Sequence, residues 1–240
     1  MSTILLADAG GTFTRLALAD ASGAIGVSEV METGAFASFE DAARDFMNAH
    51  HATPDRAAVA AAGPVQQGVI KMTNGPQWRL AEDAIASALN MSRVVLVNDF
   101  AAVAAAAPRL PESGWSSVQP GESDGGTIAV IGPGTGLGVA LVRPEGSGFR
   151  VLPSEGGHAG LSPVNDREIA LLHQLIRRFG HVKAEHVLSG PGLEVLWETL
   201  TALEGGDVSM RPTSGEIAER ARRGTCETSR EAVQILTGWL

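Results

Sequence analysis

Cysteine is almost missing from this chain. Cys226 is the only one in 240 residues, so no internal disulfide framework and no cysteine-built zinc site can form. Lysine is nearly as scarce. Lys71 and Lys183 are the only two, and neither follows a glycine, so the G-K-[ST] end of a Walker A loop does not exist here. No run of 18 uncharged apolar residues occurs, and none of the sequence reads as a transmembrane helix. The N-terminus has no basic region ahead of a long apolar stretch, and Asp8 arrives early. The expectation is no signal peptide and a cytoplasmic protein. Basic residues are outnumbered, 18 Lys+Arg against 27 Asp+Glu, for a net charge of −9. That balance repels phosphate backbones and anionic bilayers, so the expected partners include no nucleic acid and no membrane. A local basic pocket for a small phosphate compound is compatible with it.

Apolar residues make up 44% and charged residues 19%, enough for a sizeable core in one large domain or two small ones. The 29 glycines cluster, and the clusters fall at strand ends. Residues 3–8 read as a buried strand that enters a glycine turn at Ala9-Gly10-Gly11, with a second hairpin strand over 12–19. Ser38 and Asp41 signal a helix start, followed by Phe39, Ala42, Ala43, Phe46 and Met47 at helical spacing. Strands are expected at 57–62, 69–72 and 93–97, with helices at 80–89 and 100–107. Pro, Ser and Gly dominate 108–126, the expected connector. Strands at 127–131, 139–142 and 149–152 and helices near 166–179, 192–203, 215–223 and 228–240 complete the chain. The expected domains are 1–110, small and α/β, and 111–240, larger and α/β. Strand, glycine loop, strand opens both.

Six constellations bear on chemistry. Asp8-Ala9-Gly10-Gly11-Thr12 ends a strand. Glycine lets backbone N–H groups approach an anion, Thr12 adds a hydroxyl, and Asp8 can hold the water shell of a phosphate-bound Mg²⁺. A plain hairpin turn is the bland alternative. Gly132-Pro133-Gly134-Thr135-Gly136-Leu137-Gly138 also joins two strands. It is not a dinucleotide fingerprint, because Leu137 and Val139 stand where that pattern needs glycine. Asn98-Asp99 closes the clearest strand and opens a helix. Asp99 is placed to accept a proton from a hydroxyl and Asn98 to bond a neighbouring hydroxyl, although either could equally be a helix cap. Glu155-Gly156-Gly157-His158 presents acceptors and a donor suited to a sugar, and it lacks the second histidine of a zinc motif. Asn74 sits in a Thr-Asn-Gly-Pro turn. Glu185 precedes an expected strand, and Gly190-Pro191 starts a helix. His50, His51, His173, His181 and His186 read as surface or packing residues.

Together these motifs resemble the bacterial glucokinase family of the sugar kinase, hsp70 and actin superfamily. Asp8–Thr12 with Arg15-Leu16-Ala17-Leu18, Val97–Phe100, Gly134–Gly138, Glu155–His158 and Glu185–Leu193 fall in the family's order. The resemblance implies two ribonuclease-H-like (actin-like ATPase) α/β domains flanking a cleft, the C-terminal one incomplete, because family members continue beyond Gly238-Trp239-Leu240. It implies ATP-dependent phosphorylation of the glucose 6-hydroxyl with Asp99 as general base and Mg²⁺ held through water by Asp8. Asn74, Asn98, Asp99, Glu155, His158 and Glu185 would hold the sugar. Ala7, Asp8, Ala9, Gly10, Gly11 and Thr12, with Gly134, Thr135, Gly136 and Gly138, would hold ATP. Exposed sheet edges invite a homodimer. A sugar-binding or regulatory protein with impaired catalysis is the alternative. A repressor would need a helix-turn-helix ahead of a first strand that begins near residue 3.

Overall fold

Strand β1 (Ile4–Ala9) alternates half-buried and buried positions, and its alternation sets the first sheet. The computed structural model describes residues 3–72, 75, 78–122 and 124–240. They fall into two compact units, Met1–Pro120 and Gly121–Leu240, and the division lies inside the Pro-, Ser- and Gly-rich stretch 108–126.

In the first unit β1 turns into antiparallel β2 (Phe13–Ala19), which pairs with β3 (Ile25–Glu32). Helix α1 (Phe39–Ala49) follows. Ser38 caps it by accepting from the Asp41 N–H, and Phe39, Ala42, Ala43 and Phe46 are its buried face. β4 (Arg56–Ala61) lies parallel to β1. β5 (Val69–Lys71) and β6 (Arg79–Ala81) form a separate small hairpin. Helix α2 (Glu82–Leu89) leads to β7 (Arg93–Asn98), parallel to β4, and α3 (Asp99–Ala106) follows it at once. The sheet order is β3-β2-β1-β4-β7. Leu5, Leu16, Phe39, Phe46, Val59, Ile70, Leu80 and Ile85 are fully enclosed in its core. Trp78 packs there edge-on to Phe39, ring centres 6.3 Å apart.

Two strands were not expected from the sequence. β3 is an edge strand with almost every residue exposed, so it carries no buried face to show a period. β6 has three residues, and its pairing with β5 holds residues 79–81 extended, which delays α2 to Glu82.

The second unit opens with β8 (Ile128–Pro133), β9 (Leu137–Glu145) and β10 (Gly148–Ser154), an antiparallel meander in the order β10-β9-β8. It repeats the connectivity of β1-β2-β3. Helices α4 (Asp166–Phe179), α5 (Gly190–Leu203), α6 (Ser214–Arg223) and α7 (Glu227–Trp239) follow. Each of the first three is capped by a side chain, from Asn165, Ser189 and Thr213 respectively. Leu171, Leu175, Leu196, Leu200, Ile217 and Ala232 form the enclosed core, with Trp197 beside them. Arg167 on α4 bonds both carboxylate oxygens of Glu231 on α7 at 2.7 and 2.9 Å, and Glu204 at 2.7 Å. Trp239 Nε1 donates to Glu168 Oε2 at 2.8 Å.

The strand expected after Glu185 is absent. Residues 184–186 form a 3-10 turn, and Ser189 caps α5 so soon afterwards that Val187-Leu188 has no length in which to extend. The second glycine loop is also tighter than expected, because Gly132 pairs with Gly138 and Pro133 with Leu137 across the hairpin.

Candidate functional site

The first glycine turn is closed by a Gly10 N–H bond to the Phe13 carbonyl at 3.1 Å. A Cβ on Gly10 would stand 2.6 Å from that same oxygen, so the turn admits only glycine there. Thr33, fully buried, braces it from the end of β3. Its hydroxyl donates to Gly10 O at 2.8 Å and meets the Thr14 hydroxyl at 2.9 Å, while its N–H donates to Thr12 O at 2.9 Å. Gly75, at φ +80°, approaches Gly11 so closely that any Cβ would overlap the Gly11 carbonyl. Ala7 and Ala9 are buried within β1, so they shape the turn's base and offer no side chain to a ligand. Asp8 faces Arg15 directly across the hairpin. The guanidinium Nη1 lies 2.9 Å from Asp8 Oδ2, with both side chains about half exposed. Asp8 Oδ1 has no partner among the described residues. Asn74 lies outside the described residues.

Asn98 and Asp99 mark the junction of β7 and α3. Asn98 is the N-cap, its Oδ1 accepting from the Ala101 N–H at 3.0 Å. Its Nδ2 donates to Gly63 O at 3.2 Å and to Asp99 Oδ1 at 3.1 Å. Asp99 Oδ1 also accepts from the Phe100 N–H at 2.7 Å. The carboxylate is therefore oriented by one oxygen, and Oδ2 is left without a partner among the described residues. It stands at the first position of α3, where the helix dipole favours negative charge. A rigid, half-buried carboxylate with one free oxygen is what a general base requires.

In the second unit Gly134 N–H donates to Gly136 O, and Gly190 N–H donates to Gly134 O, both at 2.8 Å. The loop is thus tied to the start of α5. Open space surrounds Gly134 where a side chain would be. Gly157 packs against β9 so closely that a Cβ would overlap the Leu137 carbonyl, which seats the 3-10 turn 156–158 on the strand. His158 Nε2 lies 3.1 Å from Glu185 Oε1, and Lys183 Nζ lies 3.6 Å from the same oxygen. The other oxygen, Glu185 Oε2, is 3.2 Å from where a Gly136 side chain would begin. One carboxylate therefore touches both the histidine turn and the glycine loop. Glu155 is exposed beside them.

The structure brings Asp8 to Thr12 together in one turn, Asn98 with Asp99, and His158 with Glu185 and Gly136. Two participants escaped the sequence reading. Thr33 acts from 23 residues beyond Gly10, and no local motif marks it. Lys183 was noted only for lacking a glycine before it. His186, expected to be a surface or packing residue, stacks on Phe179 with ring centres 4.4 Å apart. Burial holds its pKa below the ordinary 6.5, against the pull of Glu185 and with the help of Lys183, His181 and His158. Its Nδ1 accepts from the Lys183 N–H at 3.3 Å, as a neutral ring can. Among the described residues, no helix is long and apolar enough to cross a membrane.

Comparison with known proteins gives one consistent result. The family model described as Glucokinase matches residues 5–240. A glucokinase of Chromobacterium violaceum is 38% identical over 239 residues, spanning 98% of this chain and 68% of the relative. One of Nitrobacter hamburgensis is 36% identical, spanning 98% of this chain and 74% of the relative. The crystal structure of a glucokinase from an Antarctic psychrotroph superposes with a TM-score of 0.84 at 33% identity, covering all of this chain and 76% of that one. The fold extends to a ROK family glucokinase of Streptomyces griseus, at a TM-score of 0.57 and 19% identity. The expected α/β class with the actin-like ATPase fold holds.

Proposed function

The chain belongs to the glucokinase family, and from that premise we propose that it phosphorylates the 6-hydroxyl of glucose at the expense of ATP, with Asp99 as the general base. The observation that carries the role of Asp99 is its geometry. One carboxylate oxygen is locked by Asn98 Nδ2 and the Phe100 N–H, and the other is free.

In this reaction Asp99 Oδ2 accepts the proton of the 6-hydroxyl while that oxygen bonds to the γ-phosphorus. The bond from the γ-phosphorus to the β–γ bridging oxygen breaks, and ADP leaves with its electron pair. Asn74, Asn98, Asp99, Glu155, His158 and Glu185 are the proposed partners of the sugar hydroxyls, Asn98 through the acceptor lone pair its cap bond leaves over. Ala7 to Thr12 and Gly134, Thr135, Gly136 and Gly138 form the two turns that take the phosphates, on threonine hydroxyls and on N–H groups other than those of Gly10 and Gly134, which are bonded within their own turns. Asp8 fits a magnesium site of the kind that uses one carboxylate, waters and substrate phosphate oxygens. Bound there, Mg²⁺ would neutralise phosphate charge as the transfer proceeds. The open edge of β8 supports a homodimer.

Calorimetry and a coupled assay test the proposal on Asp99→Asn. Glucose binding should persist while turnover falls about 10²–10⁴-fold. An undiminished rate would remove Asp99 from the role of base. Wild-type chain that binds glucose but not ATP would instead be a sugar-binding protein without turnover.

A further inference from the structure

The geometry points to Cys226 as a modification site, a sulfur set to exchange with small uncharged disulfides. The site uses none of the residues assigned above to sugar or ATP. Cys226 is the N-cap of α7, and its side chain closes no cap bond. It is half-buried. Two side chains beside it lack the bonds that burial demands. Ser229, on the first turn of α7, is fully buried, and Trp197 of α5 is 8% exposed. Neither Ser229 Oγ nor Trp197 Nε1 has a hydrogen-bond partner among the described residues. Buried donors left unmade are costly. Both are turned toward the Cys226 sulfur. A neutral thiol is a weak acceptor, whereas a sulfur anion accepts strongly from both. The Thr228 and Ser229 N–H groups at the start of the helix add to them. Burial raises the thiol's pKa, and these donors outweigh it, so the group titrates below its ordinary value.

Charged neighbours do not account for this. Arg230 pairs with Glu227, Arg222 and Arg223 with Glu219, and Arg167 with Glu231. With these cations committed, anionic reagents gain nothing there. Glu227 follows the cysteine directly, so a small uncharged reagent suits the site. The thiolate is the attacking form. Its sulfur attacks one sulfur of the disulfide, a new S–S bond forms and the old one breaks. The departing thiolate leaves with the electron pair and takes a proton from water. Cys226 is oxidised and the departing sulfur reduced, with no further oxidant. Cys226 is the only cysteine of the 240 residues, so an external thiol is needed to reverse the step. A disulfide sulfur is neutral, and its formation withdraws the anion that Ser229 and Trp197 face.

The single cysteine makes the test clean. The 240-residue chain is treated with 2-hydroxyethyl disulfide near pH 6, and the mixed disulfide is read by intact mass. The folded chain should react about tenfold faster than the same chain unfolded in urea. A half-buried thiol of ordinary pKa would instead react more slowly when folded. Ser229→Ala should slow the folded chain about threefold to tenfold and leave the unfolded chain unchanged. Trp197→Phe, which removes the indole donor, should slow it in the same direction, and circular dichroism shows that each variant is folded. Modified wild type should melt at a lower temperature than the free thiol, and dithiothreitol should restore it. A folded chain no faster than the unfolded one would overturn the site. Wild-type rates in both variants would overturn the role of the two donors. An unchanged melting temperature after modification would overturn the link from the sulfur to the packing of α7.

Discussion

Thr33 shows how much a buried hydroxyl can decide. It bonds a carbonyl of the glycine turn and a second buried hydroxyl, Thr14, in a place no water reaches. Thr33→Val keeps the shape and removes both bonds, leaving Gly10 O and Thr14 Oγ1 without that partner. The expected cost is about 1–3 kcal/mol, seen as a lower urea midpoint, and tripolyphosphate affinity should fall as the turn loosens. A variant with unchanged midpoint and affinity would show that the backbone bonds of the turn suffice. Asp99 belongs to the same scale. Its orientation comes from its own neighbours in sequence, Asn98 and Phe100, while the motif alone reads as a helix cap and only the family resemblance marks Asp99 as a base.

At the level of elements, the 3-10 turn at 184–186 and its preceding Lys183 couple two charges and a half-buried ring. Its His186 has a pKa lowered by burial, so the unfolded chain takes up a proton more readily than the folded one. The sign follows: this contribution to stability is complete above about pH 6.5 and is lost as pH falls through that value toward the folded pKa. Urea midpoints measured at pH 7.5 and 5.5 should differ in wild type, with the lower midpoint at pH 5.5. His186→Gln should narrow the difference, and an equal pH dependence in the variant would assign it to other groups. Most elements were legible because their residues carry a period. α1 has its capping Ser38 and four buried residues at helical spacing, and β7 is a continuous β-branched run. β3 was illegible because an exposed edge strand buries almost nothing, and β6 because three residues carry no period. Val187-Leu188 looked like a strand by composition, but the capping demand of α5 at Ser189 won. The candidate site was legible wherever neighbours in sequence do the work. The brace of Thr33 and the contact of Glu185 with Gly136 depend on pairing across distant segments, which no local pattern encodes.

For the whole molecule, the two sheets differ in a telling way. β1 is flanked by β2 on one side and β4 on the other, whereas β8, which opens the second sheet in the same manner, has β9 as its one strand partner among the described residues. It is an edge strand, and Ile128 and Ile131 are exposed on it. Such an edge recruits another strand. The 240-residue chain should therefore self-associate with rising concentration in sedimentation velocity, and Ile131→Lys should suppress the effect by placing a charge on the edge. Wild type that stays monomeric at every concentration reached would show the edge to be blocked.

Tyrosine is absent from the chain, so its ultraviolet fluorescence is tryptophan light alone. Trp78 is enclosed in the first core, Trp197 and Trp239 belong to the second, and Trp115 stands exposed in the stretch between. Each core thus contains its own built-in lamp: with Trp115 replaced by Phe, Trp78→Phe leaves light from the second half alone, and Trp197→Phe with Trp239→Phe leaves light from the first alone.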